Sequence, residues 1–110
     1  MTTPHTVTDH EFEEAVLHSD MLVMVEFWAT WCAGCRMIAS LLDELASEYE
    51  GRVMVVKANV DEAPEHTTQY QVRRTPTIVY FRNGQELDRI EGAGCKANYT
   101  AKLDTLLNYG

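Results

Sequence analysis

Residues 23–36 read Val-Met-Val-Glu-Phe-Trp-Ala-Thr-Trp-Cys-Ala-Gly-Cys-Arg, and this stretch decides the fold. Its first half is almost continuously apolar, which is typical of a central strand that is covered on both faces. The pattern breaks at Ala29 and Thr30, and a helix is predicted to begin at Cys32. Two cysteines separated by two residues therefore lie at a strand-to-helix junction, on the same face of the helix.

The position of Cys32 predicts a reactive thiol. Unpaired backbone N–H groups and the positive end of the helix dipole favour an anion at a helix N-terminus. We therefore expect a lowered pKa for Cys32, whose thiolate is the nucleophilic form. Cys35 can close a disulfide with it. An inert buried pair or a static disulfide is the alternative.

A metal site is not expected. Two cysteines need two further ligands at usable spacing. The remaining candidates form no partner motif; they are Cys95, His5, His10, His18 and His66.

Composition predicts one α/β domain spanning residues 1–110. The chain is 45% hydrophobic, which is enough for one core. Its net charge of −8 argues against nucleic acid as a partner and favours a soluble monomer. No apolar run could span a bilayer, and the first residues lack a signal-peptide pattern, so we expect a cytoplasmic protein with no membrane association. In that compartment a Cys-x-x-Cys motif is more often redox-active or metal-binding than structural.

Hydrophobic periodicity divides the rest of the chain into alternating helices and strands. We expect strands over 5–7, 21–29, 52–60, 77–81 and 86–90, and helices over 8–19, 32–50, 64–70 and after Gly94. The strand–helix–strand order around the cysteines implies parallel pairing, and Asn83-Gly84 predicts a tight hairpin. The cysteine helix is expected to bury a face made of Met37, Ile38, Leu41, Leu42, Leu45 and Tyr49.

Four further motifs accompany the cysteine segment. They are Asn59-Val60-Asp61, Thr75-Pro76-Thr77, Asn83-Gly84 and Gly92-Ala93. With Trp-Ala-Thr-Trp-Cys-Ala-Gly-Cys at 28–35, which is similar to Trp-Ala-x-Trp-Cys-Gly-Pro-Cys, their order and spacing make the chain resemble the thioredoxin family. The resemblance implies an α/β thioredoxin fold. Its central mixed β-sheet has the first three strands parallel and the C-terminal hairpin antiparallel, flanked by about four helices.

The resemblance also implies a function, the reduction of protein disulfides. Cys32 would attack a partner's disulfide, and Cys35 would resolve the mixed disulfide. A separate thioredoxin reductase would supply electrons, and no cofactor beyond the dithiol is expected, because the chain has no nucleotide-binding fingerprint. Rival functions are an isomerase or oxidant of the same fold and a non-catalytic binding module. The implied substrate-binding residues are Trp31, Ala33, Gly34, Arg74, Thr75, Pro76, Gly92 and Ala93, with a cis bond between Thr75 and Pro76.

Glu26 interrupts the apolar strand and is the second candidate for chemistry. Burial disfavours a charged carboxylate and should raise its pKa toward neutrality. Glu26 would then take the proton from Cys35 as a general base, where the thioredoxin family carries Asp. The alternative is a buried ion pair with Lys57, the single charge in the neighbouring predicted strand, and Lys57 would also tune the Glu26 pKa.

Two departures from the family pattern concern specificity, and Cys95 is a third thiol. Ala33-Gly34 replaces the Gly-Pro pair, which predicts a potential less reducing than the family's roughly −270 mV. Arg73-Arg74 stands where the family often has glycine at the second position. These two cations either favour acidic partners or are simply solvated charges on the surface. Cys95 is either a modifiable thiol at a helix start or a plain small residue.

Overall fold

The apolar runs predicted as strands form one five-stranded sheet. In the computed structural model, which describes residues 2–108, the strand order is β1-β3-β2-β4-β5. The first three strands of the chain are mutually parallel, whereas β4 runs antiparallel to β2 and β5 antiparallel to β4, as predicted. The strands are β1 (His5–Val7), β2 (Leu22–Trp28), β3 (Val53–Asn59), β4 (Thr77–Arg82) and β5 (Gln85–Glu91). Met1, Tyr109 and Gly110, which the predicted domain includes, lie outside the described residues.

Helices flank this sheet in the predicted order. They are α1 (Asp9–Phe12), which continues as a π-helical turn over Glu13–Leu17, α2 (Ala33–Glu48), α3 (Pro64–Gln69) and α4 (Lys96–Asn108). A capping box is present at the start of α1, where the Thr8 backbone N–H donates to the Glu11 carboxylate at 3.0 Å. This helix was predicted to run to about Ser19, and the π turn ends two residues earlier, at Leu17.

Both faces of β2 are buried, and alternate residues enter different cores. Leu22 and Met24 pack in the core that contains residues of α2 and α4. Val23 and Val25 pack in the opposite core, which includes Phe12 of α1. Because side chains alternate along a strand, Glu26 points to the same side of the sheet as Met24. The sheet therefore holds this carboxyl group under α2, the helix that carries the cysteines.

The buried face of α2 is narrower than predicted. Ile38, Leu42 and Leu45 are buried, and their spacing of four and three residues forms one stripe along the helix. Met37 was predicted to join this face, but its side chain is 76% exposed. Periodicity places Met37 about 100° around the helix from Ile38, which carries it past the edge of the stripe.

The predicted tight hairpin is present between β4 and β5. Asn83 and Gly84 both adopt positive φ, at 53° and 78°, as a type I′ turn requires. Gly84 also lies close to the end of the π turn, because an added Cβ would come within 2.9 Å of the Leu17 carbonyl oxygen. The hairpin tip therefore requires glycine for two separate reasons.

We expect Gly84→Ala to lower the free energy of unfolding by about 2 to 3 kcal/mol, combining left-handed backbone strain with displacement of the Leu17 carbonyl. Gly51→Ala is the matched control. Gly51 has φ of 86° but nothing within 4 Å of an added Cβ, so only the strain of about 1 kcal/mol applies. Urea unfolding of both variants measures the difference, and equal losses would contradict the predicted contact.

Candidate active site

The two cysteines lie at the turn between β2 and α2. Cys32 has an extended backbone and forms the N-cap of α2, while the Cys35 backbone N–H donates to the Cys32 Sγ at 3.1 Å. The sulfur thus occupies the place where a capping oxygen is usual, among the unpaired N–H groups of the first turn. The sequence placed the helix start at Cys32, and the structure agrees to within one residue.

Cys32 and Cys35 are paired. Their Sγ atoms lie at disulfide distance and their Cα atoms are 5.3 Å apart. Each residue is only 5% exposed, and the pair packs with Ala29 against Trp28 and Val60 at the ends of β2 and β3. The site is therefore a largely buried disulfide at the carboxyl edge of the parallel strands.

The two tryptophans have different environments. Trp28 is half-buried against the cysteine pair. Trp31 is 68% exposed and directly precedes Cys32. The turn that carries Trp31 is held by the Arg36 guanidinium, which donates to the Thr30 carbonyl oxygen at 3.0 Å. An exposed aromatic surface thus lies beside the disulfide.

Three chain segments meet at Gly34. An added Cβ at this position would lie 3.1 Å from Pro76 Cδ and 3.5 Å from Ala93 Cβ. The Thr75–Pro76 bond is cis, and the Gly92 backbone N–H donates to the Pro76 carbonyl oxygen at 2.8 Å. Residues about forty and sixty positions downstream of the cysteines are thus brought against them.

Arg74 continues this surface. An added Cβ at Gly92 would lie 3.3 Å from Arg74 Nη2, so the guanidinium lies over the glycine backbone. The Thr77 hydroxyl donates to the Arg74 carbonyl oxygen at 2.6 Å and fixes this segment. Of the eight residues predicted to bind substrate, five form one chain of contacts, namely Gly34, Pro76, Ala93, Gly92 and Arg74. Trp31 and Ala33 are exposed next to Cys32, and Thr75 is half-buried between Arg74 and Pro76.

Glu26 is buried, at 1% exposure, and lies opposite Lys57 in the β2–β3 register. Burial raises the pKa of its carboxyl to about 7, although the positive charge of Lys57 opposes the rise. Within residues 2–108 neither carboxylate oxygen has a hydrogen-bond partner.

The ion pair offered as an alternative for Glu26 is not formed among the described residues. Instead, the Lys57 Nζ lies 4.5 Å from the centroid of the Trp28 ring. Lys57 therefore acts on Glu26 across a distance, through its field, while a cation–π contact holds its ammonium group.

A family model described as Thioredoxin matches residues 3–105. The chain belongs to the thioredoxin family. It is 44% identical to thioredoxin 1 of Nostoc sp., over 94% of this chain and 97% of that protein. It is 43% identical to the thioredoxin of Synechocystis sp., over 97% of this chain and 100% of that protein. It is also 45% identical to the chloroplastic M-type thioredoxin of Spinacia oleracea, over 93% of this chain and 56% of that protein.

Membership of the thioredoxin family, together with the Cys-x-x-Cys pair, identifies the activity as thiol–disulfide exchange in a protein-disulfide reductase role. Disulfide-containing proteins as substrates and a reductase as partner follow from the family. The predicted fold, family and activity are confirmed.

The sequence analysis gave Tyr99 no functional role. Its hydroxyl accepts a hydrogen bond from the Gly94 backbone N–H at 2.8 Å, next to the Gly92-Ala93 segment. Burial raises the pKa of Tyr99, and the charge of Glu26 adds to the rise. Only one feature of the sequence could have predicted this hydrogen bond, namely that the hydroxyl of a buried tyrosine usually has a polar partner.

Cys95 is the remaining cysteine and lies just before α4, as predicted. It is exposed, and its backbone N–H donates to Asn98 Oδ1 at 2.9 Å.

No group of three or more His, Cys, Asp or Glu side chains is arranged to hold a metal ion within residues 2–108. None of the helices in that range is long and apolar enough to cross a membrane.

Proposed function

We propose that Cys32 is the nucleophile of the reductase and Cys35 the resolving thiol. The Cys32 thiolate attacks one sulfur of a substrate disulfide, forms a mixed disulfide and releases the other substrate sulfur as a thiolate, which takes a proton from solvent. Cys35 then loses its proton and attacks the Cys32 sulfur. The Cys32–Cys35 disulfide forms, and the second substrate thiol leaves, so that two electrons and two protons have passed to the substrate.

The observation that carries this assignment is the position of Cys32 at the N-cap of α2. The Cys35 N–H that points at the Cys32 sulfur would stabilise a thiolate there, as would the positive end of a sixteen-residue helix. Cys35, one turn into the helix, has less of both effects. This asymmetry supports attack by Cys32 rather than by Cys35.

Glu26 is the general base for Cys35 in this mechanism. Its pKa of about 7 suits a group that accepts a proton near neutral pH and returns it later. Lys57 is a positioning residue, because its charge limits how far burial raises that pKa. Glu26 lies on β2 two residues before Trp28, whose ring packs against the cysteine pair.

Substrate docking uses the surface that surrounds Gly34. An extended substrate segment would add as a strand beside Thr75, with main-chain hydrogen bonds next to the disulfide. The substrate segment would lie against Pro76, Gly92 and Ala93. Trp31 and Ala33 border the sulfur of Cys32.

The wider assignment is as follows. One domain spans residues 1–110 and acts as a monomer in the cytoplasm. The Cys32–Cys35 dithiol carries the electrons, and no cofactor or metal is required. A separate thioredoxin reductase returns the pair to the dithiol form.

The reduction potential of the Cys32–Cys35 couple tests the direction of this chemistry. We predict a value above the family's roughly −270 mV by up to about 30 mV, because Ala33-Gly34 holds the start of α2 less rigidly than Gly-Pro. Equilibration against dithiothreitol and glutathione buffers measures it. The double variant Ala33→Gly/Gly34→Pro should lower the potential. A wild-type value of roughly −200 mV would contradict the reductase role and favour an isomerase or oxidant.

A further inference from the structure

Six of the nine basic side chains of this acidic chain fall into two contrasting groups. The chain has 17 acidic residues against 9 basic ones, and some basic residues are neutralised locally. Each member of the neutralised group has a carboxylate oxygen within 2.7 Å; these are Arg89, Lys96 and Lys102. Arg36, Arg73 and Arg74 are exposed and have no carboxylate within 4.0 Å in the described part of the chain. Of these three, Arg36 and Arg74 contact segments that border the active site.

Arg74 is held at the edge of the docking surface. Its guanidinium lies over Gly92, which has room for it only because glycine lacks a side chain. The Gly92 backbone N–H donates a hydrogen bond to the Pro76 carbonyl oxygen. Pro76 in turn lies against Gly34, which stands between the two cysteines in the sequence. The carboxylate of Glu91, the nearest acid along this segment, lies 3.9 Å from Arg89 instead. The Arg74 guanidinium thus lies beside Gly92 and forms no ion pair within residues 2–108.

Arg36 places a second cation on the other approach to the disulfide. It follows Cys35 directly, and its guanidinium is bonded to the Thr30 carbonyl in the turn before Cys32. Its neighbours there are the exposed side chains of Trp31 and Met37. Asp61, which follows β3 at the same edge of the sheet, forms no ion pair with Arg36 or Arg74 among residues 2–108.

We propose that Arg36 and Arg74 select disulfide substrates whose attacked cysteine is flanked by Asp or Glu residues. This specificity rests on the proposed reductase function. A net charge of −8 repels acidic substrates at long range, but salt screens exposed charges over about 10 Å at 0.1 M ionic strength. At contact the side chains nearest the disulfide decide, and Arg36 and Arg74 are two exposed cations there. Neutral and basic substrates receive no such attraction.

Two disulfide-bonded peptides test the proposal. They are identical except that two residues on each side of the attacked cysteine are Asp in one peptide and Asn in the other. We expect kcat/KM for the Asp peptide to exceed that for the Asn peptide by about fivefold at roughly 0.1 M ionic strength, where salt screens the net charge of the chain, from two exposed charge contacts. Raising the ionic strength should reduce this ratio toward one.

Charge-reversal variants show whether Arg74 and Arg36 cause the preference for the Asp peptide. Arg74→Glu and Arg36→Glu should each lower the Asp/Asn ratio by about fivefold, because each replaces an attraction with a repulsion. Arg52→Glu is the matched control for net charge. Arg52 is also exposed and has no carboxylate within 4.0 Å in residues 2–108, but it precedes β3, at the opposite edge of the sheet. This control should leave the ratio unchanged.

The outcomes separate the two proposals. If the wild-type protein reduces neither peptide, the reductase function itself fails. If it reduces both peptides equally well, and Arg74→Glu and Arg36→Glu leave the ratio near one, the reductase function stands and the acidic specificity is overturned. An equal shift of the ratio in Arg52→Glu would also overturn it, because the effect would then come from net charge.

Discussion

Cys32→Ser is expected to lower the rate of protein-disulfide reduction by more than roughly a thousandfold, because a hydroxyl cannot replace the thiolate in disulfide exchange. The sulfur sits where the Cys35 N–H and the start of α2 stabilise its negative charge. Serine fits the same N-cap position, so the variant should fold. Turbidity on reduction of insulin by dithiothreitol measures the rate.

Cys95→Ser is the matched control. This thiol is exposed before α4 and takes no part in the proposed mechanism, so the variant should keep wild-type activity. Full activity in Cys32→Ser would mean that the chain acts as a binding module or through another thiol. Such a result would rule out the dithiol mechanism for this protein.

Glu26→Gln is expected to change stability with a distinctive pH dependence. The folded-state pKa of Glu26, about 7, is above its ordinary value of 4.5, so the folded chain binds this proton more tightly than the unfolded chain. The charged carboxylate therefore costs stability. That cost is absent below pH 4.5, grows between pH 4.5 and pH 7, and is complete above pH 7, where it amounts to about 3 kcal/mol.

Glutamine carries no charge at any pH and removes this cost. The free energy of unfolding of Glu26→Gln, relative to wild type, should therefore rise by about 2 to 3 kcal/mol between pH 5 and pH 8. Urea unfolding of the oxidised proteins at the two pH values measures the change. Glu62→Gln is the control, because Glu62 is exposed and its removal should give the same difference at both pH values. A pH-independent effect of Glu26→Gln would contradict the raised pKa.

The same variant tests catalysis separately from stability. Without a general base, deprotonation of Cys35 should slow about a hundredfold, and the mixed disulfide on Cys32 should accumulate. Acid quench and mass spectrometry would detect it. In wild type the resolution rate should rise with pH through about 7 and then level off. A wild-type rate in Glu26→Gln would show that Cys35 loses its proton elsewhere.

The sequence predicts this fold well because its signals are local. Asn83-Gly84 specifies a turn with two positive φ values, and Thr8 with Glu11 specifies a helix start. Apolar runs, interrupted by Glu26 in β2 and Lys57 in β3, mark these two elements as strands that are largely buried on both faces. Each pattern depends on neighbours within a few residues, so it can be read without knowing the tertiary structure.

Features that depend on contacts between distant parts of the chain could not be predicted from local sequence patterns. Met37 follows the apolar periodicity of α2, but only the packing of the neighbouring elements sets the width of the buried stripe. Nothing in the sequence shows that the Arg74 guanidinium lies over Gly92 or that Tyr99 holds the Gly94 N–H. The Glu26–Lys57 register was predictable from pairing of the strands, but the contact between Lys57 and Trp28 was not.

The most direct test of the mechanism is to identify which thiol first binds a substrate. Cys35→Ser prevents resolution, so the reduced variant, mixed with a disulfide-bonded protein, should form a stable covalent complex. Peptide mapping by mass spectrometry locates the bond. The mechanism predicts a mixed disulfide at Cys32, while a complex through Cys95 or no complex at all would contradict it.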